Sequence, residues 1–135
     1  MRVFFYGLFM DVDLLAAKGI FPSDARTAFL DGYSLRIGER ATLVPDADER
    51  TFGILMDIGQ SEVSELYSEA SVADYVPETV LVELEDGERL EATSYNLPAD
   101  KVIGTNSDYA KSLLKLADRL GFPDSYLDRI RRTLT

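Results

Sequence analysis

Neither cysteine nor histidine occurs in the 135 residues, and these two absences narrow the available chemistry more than anything present. They exclude a thiolate nucleophile, a Ser-His-Asp relay, a disulfide frame and the usual Cys/His zinc site. An acid or base in this chain would have to be a carboxylate, a lysine or a tyrosine. A carboxylate that works near neutral pH usually has its pKa raised by burial. Basic charge is scarce too: 14 Lys and Arg stand against 24 Asp and Glu, a formal charge of −10. Such a chain repels a phosphate backbone, so no nucleic-acid partner is expected. No apolar run is long enough for a membrane span, and no charged-then-apolar leader precedes a cleavage site. No membrane partner is expected, and a cytoplasmic location agrees with the missing cysteines.

Apolar residues make up 46% of the chain and charged residues 28%, proportions of a folded protein, and the length fits a single domain over residues 1–135. Arg2 to Tyr6 reads as a buried strand ending at Gly7, and Asp11 can cap a short helix with Leu14, Leu15 and Ala16 inside and Gly19 as its stop. Pro22 to Asp24 reads as loop, and Arg26 to Ile37 as strand material broken at Asp31-Gly32. Ala41–Val44 and Phe52–Ile58 read as two strands joined by a solvated loop from Pro45 to Arg50.

Ser61 suits the N-cap of a helix that turns Val63 and Leu66 inward, and Asp86-Gly87 suits a two-residue turn between strands 79–85 and 88–95. From Asn106 the spacing of Tyr109, Leu113, Leu116, Ala117 and Leu120 predicts an amphipathic helix stopped at Gly121. A last short helix carries Tyr126, Leu127 and Ile130, with Arg129, Arg131 and Arg132 towards its negative end. Strands scattered between short helices, without regular alternation, indicate an α+β domain around an antiparallel or mixed sheet.

Asp11-Val12-Asp13 and Asp46-Ala47-Asp48 lack the glycine and distal glutamate of a calcium loop, so no metal is expected. Glu69, in LYSEASVADYV, has two readings: a solvated glutamate near a helix end, or a partly desolvated carboxylate pointing into a pocket. Gly7, in FFYGLFM, also has two. In one it simply eases a bend between core residues, and in the other the turn aims backbone N–H groups at a carboxylate or phosphate.

The order of several short motifs resembles the gamma-glutamylcyclotransferase and AIG2-like family over nearly the whole chain. YGLFM is similar to that family's Tyr-Gly-Ser/Thr-Asn/Leu-Leu/Met loop, TFGILMDI to its Gly-x-hydrophobic-hydrophobic strand, and LYSEASVADYVPETVLVEL to its Leu-Asp-x-x-Glu-Gly segment. SYNLPAD and DYAKSLLKLADRLGFPDSYLDRI resemble its late tyrosine strand, Tyr-headed helix and Gly-hydrophobic-Pro-x-x-Tyr ending.

The resemblance implies a gamma-glutamylcyclotransferase-like mixed β-barrel with flanking short helices and a cavity at one end. It also implies a reaction in which the α-amino nitrogen of a gamma-glutamyl amide attacks its own γ-carbonyl, releasing an amine and 5-oxoproline without cofactor or metal. On it, the loop Tyr6, Gly7, Leu8, Phe9 and Met10 would hold the substrate carboxylate and Glu69 would carry the proton. Tyr75 and Tyr109 resemble family tyrosines near the cavity and Tyr95 the late strand tyrosine, and each can equally be an ordinary half-buried aromatic.

Three departures accompany the likeness. Aligned on Leu66 without a gap, the family glutamate falls on Ala70, so Glu69 matches only after a one-residue shift, and one residue rotates a helical side chain by about 100°. Leu8 and Phe9 stand where relatives carry Ser or Thr and Asn or Leu, and Pro77 where many carry Arg. The alternative implied by these changes is a non-catalytic domain of the same fold that binds small carboxylates. The assembly is left open, with a homodimer among the options.

Overall fold

The computed structural model describes residues 1–134. Five strands close into a barrel: β1 (Arg2–Phe5), β2 (Ser23–Ile37), β3 (Ala41–Asp57), β4 (Val76–Leu84) and β5 (Arg89–Asn96), in the order β1-β3-β2-β4-β5. All neighbours are antiparallel except β1 and β5, which meet in parallel at Val3 and Thr93. The sheet is therefore mixed, and its closure leaves no long open edge.

The apolar opening is explained by burial on both faces of β1. Phe4 and Tyr6 point into the barrel with Leu30, Leu43, Leu55, Val80 and Val82. Val3 and Phe5 face the helices, packing with Met56, Leu113, Leu116, Leu127 and Ile130. Full burial of one such side chain contributes about 1.5–3 kcal/mol, so a strand buried on both sides has no use for polar residues. The helical partners are α3 (Ser107–Arg119), capped by the Asn106 side chain, and α4 (Asp124–Arg132), both apolar at the positions expected from their spacing.

Several local expectations are corrected. Asp31-Gly32 does not break β2, which runs through from Ser23 to Ile37 with a register shift between Asp31 and Tyr33. The strand also starts earlier than expected, inside the segment read as loop at 22–24. Opposite that shift, Pro45–Arg50 is not a free loop: Pro45 pairs with Tyr33 and Arg50 with Asp31, so the residues between them form an outward bulge in one long strand. Polar composition agrees with a run kept out of the core, but strand pairing on either side decided its backbone.

The N-cap of α2 (Gln60–Leu66) is Gly59, not Ser61, and the Glu62 side chain accepts its N–H at 3.3 Å. The β4–β5 turn holds three residues instead of two. The Gly87 N–H donates to Leu84 O and the Leu84 N–H to Glu88 O, with Gly87 at φ 89°. This is a turn closed by a glycine bulge, which uses the same Asp-Gly pair in a different register.

Candidate functional site

A cavity of about 350 Å³ opens at one end of the barrel. Its wall combines the end of β1 with the following turn, α1 (Val12–Ala17) with Lys18 at its C-terminus, the start of β3, the 67–75 segment, β5 and α3. Tyr6, Gly7, Leu8, Phe9, Glu69, Tyr75, Tyr95 and Tyr109 all line it, although they span more than one hundred positions of sequence. Met10 does not; it is buried in the core beneath the turn.

The turn after β1 differs from the donor nest expected of it. Gly7 has extended backbone angles, φ −111° and ψ −152°, so no left-handed conformation calls for glycine here. What calls for it is proximity: a Cβ at position 7 would collide with the Tyr109 hydroxyl. That hydroxyl accepts the Leu8 N–H at 3.3 Å, and the Met10 N–H is taken by the Gly7 carbonyl at 3.0 Å. The group that approaches Gly7 is thus a phenol from α3, and part of the turn's donor capacity is already engaged.

The aromatic wall is held by its own polar tips. The Tyr6 hydroxyl donates to the Tyr95 carbonyl at 2.7 Å, and the Tyr75 hydroxyl donates to the Ala41 carbonyl. Tyr67 stacks on Tyr95 with ring centroids 4.1 Å apart and 15° between planes, and Phe9 meets the Tyr67 ring edge-on at 5.8 Å. Burial is the leading cause that pushes the Tyr6, Tyr67 and Tyr75 phenols well above their ordinary pKa, and it pushes Tyr109 up to about 12 despite the Leu8 N–H. These hydroxyls are neutral at physiological pH and act as hydrogen-bonding groups, not as bases.

Glu69 is the single carboxylate among the lining residues. Its setting combines features of both readings, a cavity-lining carboxylate that keeps much of its contact with solvent. α2 stops at Leu66, Glu69 lies in the turn beyond it, and its side chain remains 44% exposed. One carboxylate oxygen accepts from Lys18 Nζ at 2.7 Å. Ala70, the position matched without a gap, is exposed and does not line the cavity. A turn can reorient successive side chains where a continuous helix could not, so the one-residue offset falls where the backbone tolerates it.

Among the lining residues that the sequence did not assign to the site are Lys18, Arg40 and Tyr67. Lys18 follows Leu14, another wall residue, at the four-residue spacing of one helix face. Tyr67 extends the stripe of Val63 and Leu66, so both carried a legible signal. Arg40 carried none, because only tertiary structure brings its guanidinium to the Ser71 carbonyl at 3.3 Å and Asp74 at 3.2 Å.

The AIG2-like family model matches residues 50–130, more than half of the chain. The chain belongs to the AIG2-like family. Among solved structures, a protein named gamma-glutamyl cyclotransferase superposes with a TM-score of 0.76 at 18% identity, over 97% of this chain and 86% of its own. YkqA from Bacillus subtilis superposes with a TM-score of 0.80 at 23% identity, but this chain, 99% covered, spans only 54% of it. An uncharacterized protein from Homo sapiens gives a TM-score of 0.72 at 19% identity, with 96% and 85% covered. At these identities the neighbours establish the gamma-glutamylcyclotransferase-like barrel shared with this AIG2-like chain. No curated protein matches it.

Proposed function

We propose that the protein cyclises a gamma-glutamyl amide to 5-oxoproline, with release of an amine or amino acid. The observation that carries this reading is Glu69, the single carboxylate lining an aromatic-rich cavity that also holds the YGLF turn and Tyr109. The neighbour named gamma-glutamyl cyclotransferase adds support through its fold. In the reaction the substrate's α-amino nitrogen forms a bond to its own γ-carbonyl carbon, and the amide C–N bond breaks. Glu69 takes the proton from the attacking nitrogen and returns one to the departing nitrogen, so one carboxylate closes the proton balance. The buried tyrosines and the Leu8 side chain form a largely apolar wall, which suits the side of the substrate that leaves.

The decisive experiment is 5-oxoproline release by the purified protein from a panel of gamma-glutamyl amino acids and gamma-glutamylamines, with Glu69→Gln beside it. The variant is expected to keep its melting temperature and lose at least about 100-fold in turnover, the usual contribution of a positioned acid-base group. Undiminished turnover in Glu69→Gln would reject it as the proton carrier. A second reading, a carboxylate-binding domain without turnover, is favoured by one observation: the Lys18 ammonium already occupies the Glu69 carboxylate. Tight binding of 5-oxoproline without release from any amide would support that reading.

A further inference from the structure

The chain carries a formal charge of −10, yet its cavity lining holds two cations, Lys18 and Arg40, against the single anion Glu69. The two cations differ in how firmly they are held. Arg40 is tied to the Ser71 carbonyl and to Asp74, bonds that brace the 67–75 segment against β3. Among the described residues the Lys18 ammonium donates to Glu69 at 2.7 Å, and an ammonium has three donors. It stands at the C-terminal end of α1 with its side chain 29% exposed, so its head can move between partners on a flexible stem.

We infer that Lys18 is the anchor for the substrate's α-carboxylate, and that its transfer from Glu69 to that carboxylate is what frees Glu69 to accept a proton. This rests on the cyclisation reading for the role of Glu69, but the anchor is a binding statement and can be tested without turnover. The turn after β1 is the weaker anchor, because Leu8 N–H already donates to Tyr109 and Met10 N–H to Gly7. The two roles become one event: a ligand with the correct carboxylate exchanges one ion pair for another, and the base is released only when that ligand is in place. A ligand without the carboxylate leaves Lys18 on Glu69.

The test compares 5-oxoproline with pyrrolidinone, the same ring without the carboxylate, by calorimetric titration of the wild type, Lys18→Met and Lys18→Arg. The wild type is expected to prefer 5-oxoproline by about tenfold or more, a factor typical of one charge-assisted hydrogen bond. Lys18→Met should bring that preference to within about twofold while leaving pyrrolidinone affinity unchanged, and Lys18→Arg should restore most of it. Lys18 is partly exposed at a helix end, so equal melting temperatures check that the variants are folded.

In turnover of a gamma-glutamyl amide, Lys18→Met should raise KM about tenfold with kcat changed by no more than about threefold, because Glu69 is then already free. The anchor is overturned if the preference survives in Lys18→Met, or if the wild type fails to discriminate or binds neither ring. A fall in kcat at unchanged KM overturns the release. Discrimination lost in Lys18→Met, in a protein that turns over no amide, would leave the anchor standing and reject the cyclisation reading.

Discussion

Gly7 and Tyr109 form a matched pair, since the glycine exists to admit the phenol and the phenol holds the turn by accepting Leu8 N–H. Gly7→Ala is therefore expected to destabilise the protein by about 1–3 kcal/mol through overpacking. Tyr109→Phe alone should cost about 1 kcal/mol, because it leaves the Leu8 N–H without its acceptor. Together the two should cost less than their sum, since removing the hydroxyl removes the atom that the new methyl meets. Urea denaturation of the four proteins measures this coupling, and strict additivity would show that the contact does not hold the turn.

The 67–75 segment is the element on which the site depends, because it carries Glu69, Tyr67, Ser71, Val72 and Tyr75 without regular helix or strand. Its attachments to the barrel are side-chain bonds: Arg40 to Ser71 and Asp74, and the Tyr75 hydroxyl to Ala41. Arg40→Met keeps the stem and removes the clasp. Amide exchange is expected to accelerate in residues 67–75 with barrel protection unchanged. Stability should change by less than about 1 kcal/mol, because the Arg40–Asp74 pair is partly exposed. If the segment positions the base, turnover should fall about tenfold with it, as misplaced catalytic groups do. Unchanged exchange in 67–75 would show that the segment's other contacts, Tyr75 to Ala41, Tyr67 on Tyr95 and Glu69 to Lys18, hold it without the clasp.

At the scale of the whole molecule, all seven tyrosines have pKa values raised above the ordinary one, with burial the leading cause each time. A raised folded pKa means that the native state holds its phenolic protons longer than the unfolded chain does. Stability from this source is fully present below the unfolded value of about 10 and is lost as pH rises through the folded values. For Tyr109 that window extends up to about 12. Melting temperature is therefore expected to be insensitive to the tyrosines between about pH 8 and 9 and to fall steeply above about pH 10, with tyrosinate absorbance appearing together with unfolding. Smooth titration of all seven near pH 10 in a folded protein would contradict their burial.

The elements legible in the sequence are those whose signals are local. The spacing of Leu113, Leu116 and Ala117 made α3 legible from Asn106 onward, Asp11 as a cap placed the start of α1, and a motif order running from YGLFM to the GFPDSY tail indicated the family. The site candidates Tyr6, Gly7, Leu8, Phe9, Glu69, Tyr75 and Tyr109 all lie around the cavity, whereas Lys18, Arg40 and Tyr67 carried no such assignment. Only tertiary structure decided what depends on a distant partner. Pairing with β2 drew the polar 45–50 run into a strand, since hydrogen bonds on both sides outweigh local turn chemistry. Gly7 faces a phenol that arrives from 102 positions further along, and Glu69 faces Lys18 across 51. Such contacts leave no periodic trace, because backbone closure of the barrel, and not the spacing of either residue, sets the distance between them.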